Sequence, residues 1–227
     1  MNADSSFAGM REAAARPLPA PHPGVHAAKQ ARSRAKQRAL LQAGRRLLAA
    51  HELAALSVAQ IAAEAGVAVG TFYARFIDKD AWFAELLQEV GDEVVAEMQA
   101  LLGGERWARA AAARRVDLIV RHLVDVHRRH RGLMRAALGD AAQASRFGLP
   151  LHGYGRRIAD AVHAALAAHL PGVPAVRRRE RIGIALQLVY GVLVNAVLRD
   201  PGPLKLDDPR LPRELADAFR AAARVEG

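Results

Sequence analysis

The side chains with the clearest chemical meaning lie between Ser57 and Asp80. Gly66 offers a tight turn and Val67 and Phe72 offer apolar contacts across it. Gly70, Thr71 and Tyr73 leave small and hydroxyl-bearing side chains facing out. Two short helices joined by such a turn let the second enter a DNA major groove while the first braces it across the backbone. An alanine-rich helical hairpin turning at a glycine is the plain alternative.

Other chemistries find little support. There is no cysteine, which excludes disulfides, thiolate catalysis and cysteine-type zinc fingers together and fits a reducing cytoplasm. The serines Ser5, Ser6, Ser33, Ser57 and Ser145 include no strand-to-helix nucleophile elbow, and the acids are scattered, so no catalytic residue is assigned and no enzyme is expected. Among His122, His127, His130, His152, His163 and His169 none forms an i, i+4 pair, and only His127 and His130 stand at i, i+3. With no carboxylate cluster beside them, solvated or pocket-lining histidines are expected, with no metal and no cofactor. Tyr154, between two glycines, lacks the preceding strand of a phosphate loop.

The elements that position the motif are all helical. Residues 1–28, with Pro17, Pro19, Pro21 and Pro23 at alternate positions, read as a disordered tail without the apolar core of a secretory signal. From Ala31 to Ala50 the residues Leu40, Ala43, Leu47 and Leu48 form one apolar stripe. Arg32, Arg34, Lys36 and Arg38 crowd that helix's start, where positive charge opposes the macrodipole and suggests an external anion. Ser57 and Gln60 have the spacing of a capping box, and Gly66 suits the left-handed residue that ends the helix. A third helix from Val69 to about Arg75 points Phe72 and Phe76 inward. Asp78 caps a long fourth helix reaching about Leu102. Beyond Gly103-Gly104, helical periodicity resumes over about 105–130, 146–170, 175–199 and 210–224, with a shorter helix near 131–139, and no stretch alternates as a strand would. The loops are clearest at 171–174 and 201–203. Ile182–Leu198 is apolar almost all round, but Gln187, Tyr190 and Asn195 interrupt it, and a helix buried in protein on every side is expected rather than a membrane span.

The run from Ser57 to Asp80, SVAQIAAEAGVAVGTFYARFIDKD, resembles the DNA-binding signature of TetR/AcrR-type regulators, and the likeness extends over roughly Arg34 to Phe83. Over the remainder only the helical layout, and loosely His130–Leu138, is similar. The resemblance implies an all-α chain: a three-helix helix-turn-helix domain at 29–80, joined by a long helix to a ligand-binding and dimerisation domain at 81–227. It makes Gly70-Thr71-Phe72-Tyr73 the recognition-helix core, with Thr71, Tyr73 and Lys79 on phosphates. Base reading would fall to Val69, Gly70 and Thr71, with Gln60 reaching from the bracing helix that Ser57 caps. Such small side chains make no bidentate base contacts, so direct readout is modest. Ala68 stands where the family often has a capping Ser, which forfeits roughly 1 kcal/mol.

Charge agrees with a DNA partner. Lys29–Asp80 holds nine basic and four acidic residues, half of the chain's formal excess of +10. Repression of a palindromic operator by a cytoplasmic homodimer, with release by a small apolar or aromatic effector, is what the resemblance implies. The expected dimer surface is formed by Ala185, Leu188 and Val192 with Leu215 and Phe219 of the final helix. Trp107, Leu123, Val126, Tyr154, Ile158 and Tyr190 are the expected effector lining, an apolar wall with a few polar tips. A ligand-independent DNA-binding protein or activator would share every feature up to Leu102. A helical enzyme or small-molecule carrier would not need Arg34, Thr71, Tyr73 or Lys79.

Overall fold

The computed structural model describes residues 31–170, 173–200 and 202–225; the expected N-terminal tail lies outside them. All regular structure among these residues is helical. Helix α1 (Ala31–Ala50), α2 (Val58–Glu64) and α3 (Val69–Tyr73) form the N-terminal head, and α4 (Lys79–Gly103) runs from it into the rest of the molecule. Leu40, Ile61, Phe72, Phe76 and Trp82 are fully buried among these elements. The Trp82 indole N–H donates to the Leu40 carbonyl at 3.1 Å, so the largest side chain of this core satisfies its one polar group. Gly44 allows the crossing, because a Cβ there would stand 2.4 Å from the Trp82 ring. On the outer side Arg45 reaches both Glu89 and Glu93 of α4, at 2.8 and 2.7 Å.

The local signals of the helix-turn-helix are realised. Ser57 Oγ accepts from the Gln60 N–H at 3.2 Å, and Gln60 Oε1 accepts from the Ser57 N–H at 2.8 Å. Gly66 takes φ +67°, and the N–H groups of Gly66 and Val67 return to the carbonyls of Ala63 and Ala62, both at 3.0 Å. This pairing closes α2 and requires the left-handed residue that glycine adopts without strain. Asp78 Oδ1 accepts from the Ala81 N–H at 2.7 Å and starts α4.

The C-terminal part contains α5 (Glu105–Ala108), α6 (Ala112–Arg129), α7 (Arg131–Leu138), α8 (Ala141–Leu166), α9 (Ala175–Leu198) and α10 (Leu211–Ala223), with a 3-10 turn at Ala167–His169. α4 packs on α8, α9 on α10, and α10 on α6, while α7 reaches back to α1 and ties the head to this body. At that junction a Cβ on Gly132 would fall 1.8 Å from the Leu48 carbonyl oxygen, so α7 lies backbone to backbone against α1.

Three expectations need correcting. The stretch 105–130 is two helices: Arg115 donates from Nε to the Trp107 carbonyl and from a terminal nitrogen to the Ala108 carbonyl, holding the corner between α5 and α6. α8 begins at Ala141, earlier than expected, because Asp140 caps it through the Gln143 N–H at 2.8 Å and the helix continues through Pro150. α9 is not enclosed on every side. Ile182, Ala185, Leu186, Val189 and Leu193 are buried, but Gly183, Ile184, Gln187, Leu188, Gly191 and Val192 form an exposed face. α9 is long and apolar enough to cross a membrane by length and composition, yet its buried face packs on α6, α7, α8 and α10.

Candidate functional site

α3 is short and its inward anchor is Phe72, fully buried against Phe76 and Trp82 at ring separations of 5.3 and 6.4 Å. That anchor turns the opposite face outward. Val69 is 42% and Tyr73 52% exposed, Thr71 is half-buried, and a Cβ on Gly70 would meet nothing within 4 Å. The Tyr73 ring stands edge-on to Phe72 at 5.5 Å, which supports its base and leaves the phenol free to reach a phosphate. Ala68 makes no side-chain cap, as its lack of a polar atom requires.

Positive charge is distributed unevenly over the head. Arg45 is paired with α4 and Arg46 with Glu64 at 2.5 Å, so neither is held out for a ligand. Arg34, Lys36 and Arg38 are exposed on the first half of α1, with no carboxylate among the described residues within ion-pair range. Lys79 behaves differently from the expected phosphate contact. Its Nζ donates to the carbonyls of Leu53 at 2.7 Å, Leu56 at 2.8 Å and Ala54 at 3.3 Å, which engages all three ammonium protons with its own chain. Ser57 and Gln60 likewise serve the capping box, although the Gln60 amide nitrogen stays available. The sequence shows Lys79 next to a helix start; only the fold brings it against the 53–56 loop.

The expected effector-lining residues do not converge on one point. Leu123 and Val126 are buried on α6, where His127 lies between α6 and Tyr190 of α9 with ring centroids 6.0 Å apart. His127 Nδ1 is 2.7 Å from the Leu123 carbonyl, and burial lowers the imidazole pKa to about 4 against the opposing effect of that hydrogen bond. Nδ1 is therefore the protonated nitrogen of a neutral ring. The Tyr190 hydroxyl is buried with no hydrogen-bond partner, and desolvation raises its pKa. Tyr154 instead fits the notch at Gly91 of α4, its hydroxyl 3.4 Å from the Gln88 carbonyl, and burial pushes its pKa up to about 12. Ile158 is buried one turn further along α8. Trp107 is held at the α5–α6 corner under the Arg115 guanidinium, 5.2 Å from the ring centroid. In the sequence His127 is one of nine histidines; its partner on α9 is distant in sequence.

The expected dimer residues divide in two. Ala185, Leu215 and Phe219 are buried within the single chain and cannot present a face to a neighbour, because they fill the intramolecular seam of α9 and α10. Leu188 is 51% and Val192 43% exposed, and Ile184, not singled out in the sequence, extends the same stripe at 40%. The i, i+4, i+8 spacing explains both outcomes: an all-round apolar helix has two faces, and packing chooses which one is inside.

The model described as "Bacterial regulatory proteins, tetR family" matches residues 40–86, and "Tetracyclin repressor-like, C-terminal domain" matches residues 111–221. No curated protein matches the chain. Solved structures share the fold at low identity. A TetR-family regulator from Mesorhizobium loti is 19% identical with a TM-score of 0.63, over 87% of this chain and 100% of that one. Salmonella enterica GusR is 15% identical with a TM-score of 0.62, over 83% and 95%. The transcriptional regulator FadR from Bacillus subtilis, solved with stearoyl-CoA, is 16% identical with a TM-score of 0.59, over 82% and 98%. With both parts of the chain matched in order and the recognition helix exposed beside a basic α1, this protein belongs to the TetR family of DNA-binding transcriptional regulators.

Proposed function

We propose that the chain is a cytoplasmic repressor that binds a palindromic operator as a homodimer and is released by a small, apolar or aromatic effector. The observation that carries the DNA reading is the outward face of α3, where Val69, Gly70 and Tyr73 are open to solvent and Thr71 is half-buried, in a head that also carries the exposed cations Arg34, Lys36 and Arg38 on α1. Residues 29–80 act as the DNA-binding module and 81–227 as the effector and dimer module. Thr71 and Tyr73 contact phosphates, and Val69 and Gly70 meet base edges closely. Lys79 holds the loop that leads into α2 and contributes to DNA binding by keeping that helix in place.

Two recognition helices of a two-fold dimer span half-sites about one duplex turn, roughly 34 to 36 Å, or a multiple of it apart. The exposed stripe Ile184, Leu188 and Val192, with Gly183 and Gly191 beside it, favours self-association along α9. An effector near His127 and Tyr190 is favoured by the buried Tyr190 hydroxyl, since an unmet buried polar group costs about 1–3 kcal/mol that a ligand atom would recover. The FadR structure solved with stearoyl-CoA is an example of a similar fold that accommodates a small-molecule ligand bearing a long apolar acyl chain.

The test is binding to the DNA flanking its own gene in a salt series, wild type beside Tyr73→Ala. Tight binding at two chains per site, weakened about tenfold or more by the substitution, supports the reading. Random-duplex selection that yields no motif overturns it.

A further inference from the structure

The side chains that read bases through paired hydrogen bonds are Arg and Lys on guanine and Asn and Gln on adenine. Between Val67 and Asp78 the only one of these is Arg75, which is half-buried and already partnered. The bracing helix supplies no substitute. Gln60 Oε1 is held by the Ser57 N–H at 2.8 Å, so the amide cannot offer both its atoms to adenine while it caps α2. Lys79 directs its ammonium to the carbonyls of Leu53, Ala54 and Leu56. Asp78, an acceptor that could meet cytosine, caps α4 instead.

Gly70 adds an independent observation. Its backbone is not left-handed, and a Cβ on it would meet nothing within 4 Å, so neither conformation nor packing inside the chain calls for glycine. Glycine weakens a helix relative to alanine, and α3 has only five residues. A bare backbone at this position is accounted for by a surface that approaches closely from outside. Beside it Val69, 42% exposed, carries its branched methyl groups at the first residue of α3, and the N-terminal residues of a recognition helix are those that face base edges. Ile77, the other exposed aliphatic side chain of this stretch, lies beyond the C-terminal end of α3.

We propose that the operator is read here through thymine methyl groups: Val69 packs on the C5-methyl of a thymine in the major groove of each half-site, and the bare Gly70 lets the backbone descend to that depth. The inference rests on the DNA-binding reading above and names what that surface recognises. Thymine alone presents a methyl group in the major groove, and apolar contact with it selects a base without any hydrogen bond. Guanine and adenine would require paired donors and acceptors that α3 does not hold out. The remaining specificity comes from the shape and deformability of the duplex.

Selection of a binding site from random duplexes, followed by replacement of its thymines one at a time with deoxyuridine, tests this. Deoxyuridine keeps every hydrogen-bonding atom of thymidine and lacks only the C5-methyl. The expected motif has a thymine at the same place in both half-sites, where deoxyuridine in one half-site weakens wild-type binding about fourfold, the factor for one buried methyl-sized group. Val69→Ala should bind the unmodified site more weakly and be indifferent to deoxyuridine, so that the two changes do not add. Gly70→Ala should melt no lower than wild type yet bind the site about tenfold or more weakly, because its new methyl meets DNA and not protein. A motif at which no deoxyuridine replacement matters, or a penalty that persists unchanged in Val69→Ala, would overturn the inference and leave the regulator reading standing. A selection without any motif would overturn both.

Discussion

His127 is 3% exposed on α6, and burial is the main reason its pKa falls to about 4 from 6.5. The unfolded chain takes up this proton near pH 6.5 and the folded chain only near 4, so the unfolded state binds more protons between those values. Stability is full above about pH 6.5 and declines as pH falls through that window, by on the order of 3 kcal/mol from this residue. His122 and His130, also lowered chiefly by desolvation, act in the same direction. Urea unfolding at several pH values should show a smaller acid loss in His127→Gln than in wild type; equal losses would remove His127 as the cause. Lys79 makes a second prediction at this scale. Because its ammonium is bonded to the 53–56 loop, Lys79→Met should lower stability by about 1–3 kcal/mol in the absence of DNA. A purely phosphate-binding lysine would instead leave the urea midpoint alone and reduce the salt slope of DNA binding by about one.

At the scale of elements, local signals and contacts between helices part ways. Ser57, Gln60, Gly66 and Asp78 act through atoms within three or four residues, so the starts of α2 and α4 and the end of α2 are legible in the sequence. Ala68→Ser should supply the missing cap of α3 and stabilise the head by about 1 kcal/mol, seen as a raised denaturation midpoint. No change would mean that the α3 start is already held by its neighbours. Gly132 is the opposite case. Nothing around it in the sequence distinguishes it from other glycines, yet its Cα hydrogen occupies the closest approach of α7 to α1. Gly132→Ala should force the two helices apart and lower stability by about 1–3 kcal/mol. An unchanged midpoint would show that the head rides loosely on the body. α8 carries a related lesson: it runs through Pro150, because packing against α4 and α7 and the Asp140 cap outweigh one lost helical hydrogen bond.

For the whole molecule, the arrangement of α9 decides what is available to a second copy. Leu188→Arg places a charge in the middle of the exposed stripe, at a position 51% open to solvent, so the folded chain should persist while self-association weakens. Sedimentation should show wild type as a dimer and Leu188→Arg shifted towards monomer; an unchanged dimer would put the interface elsewhere. The sequence by itself determined the all-α class, the order of the helices, the turn at Gly66 and the outward set of α3, because each depends on periodicity or on hydrogen bonds between near neighbours. Tertiary structure alone decided which face of α9 is covered, which turned Ala185, Leu215 and Phe219 into core and left Leu188 and Val192 outside. It also decided that Lys79 reaches a loop 23 residues back and that His127 meets Tyr190. Those outcomes depend on how helices stack, and helix stacking is set by the summed fit of surfaces distant in sequence rather than by any local pattern.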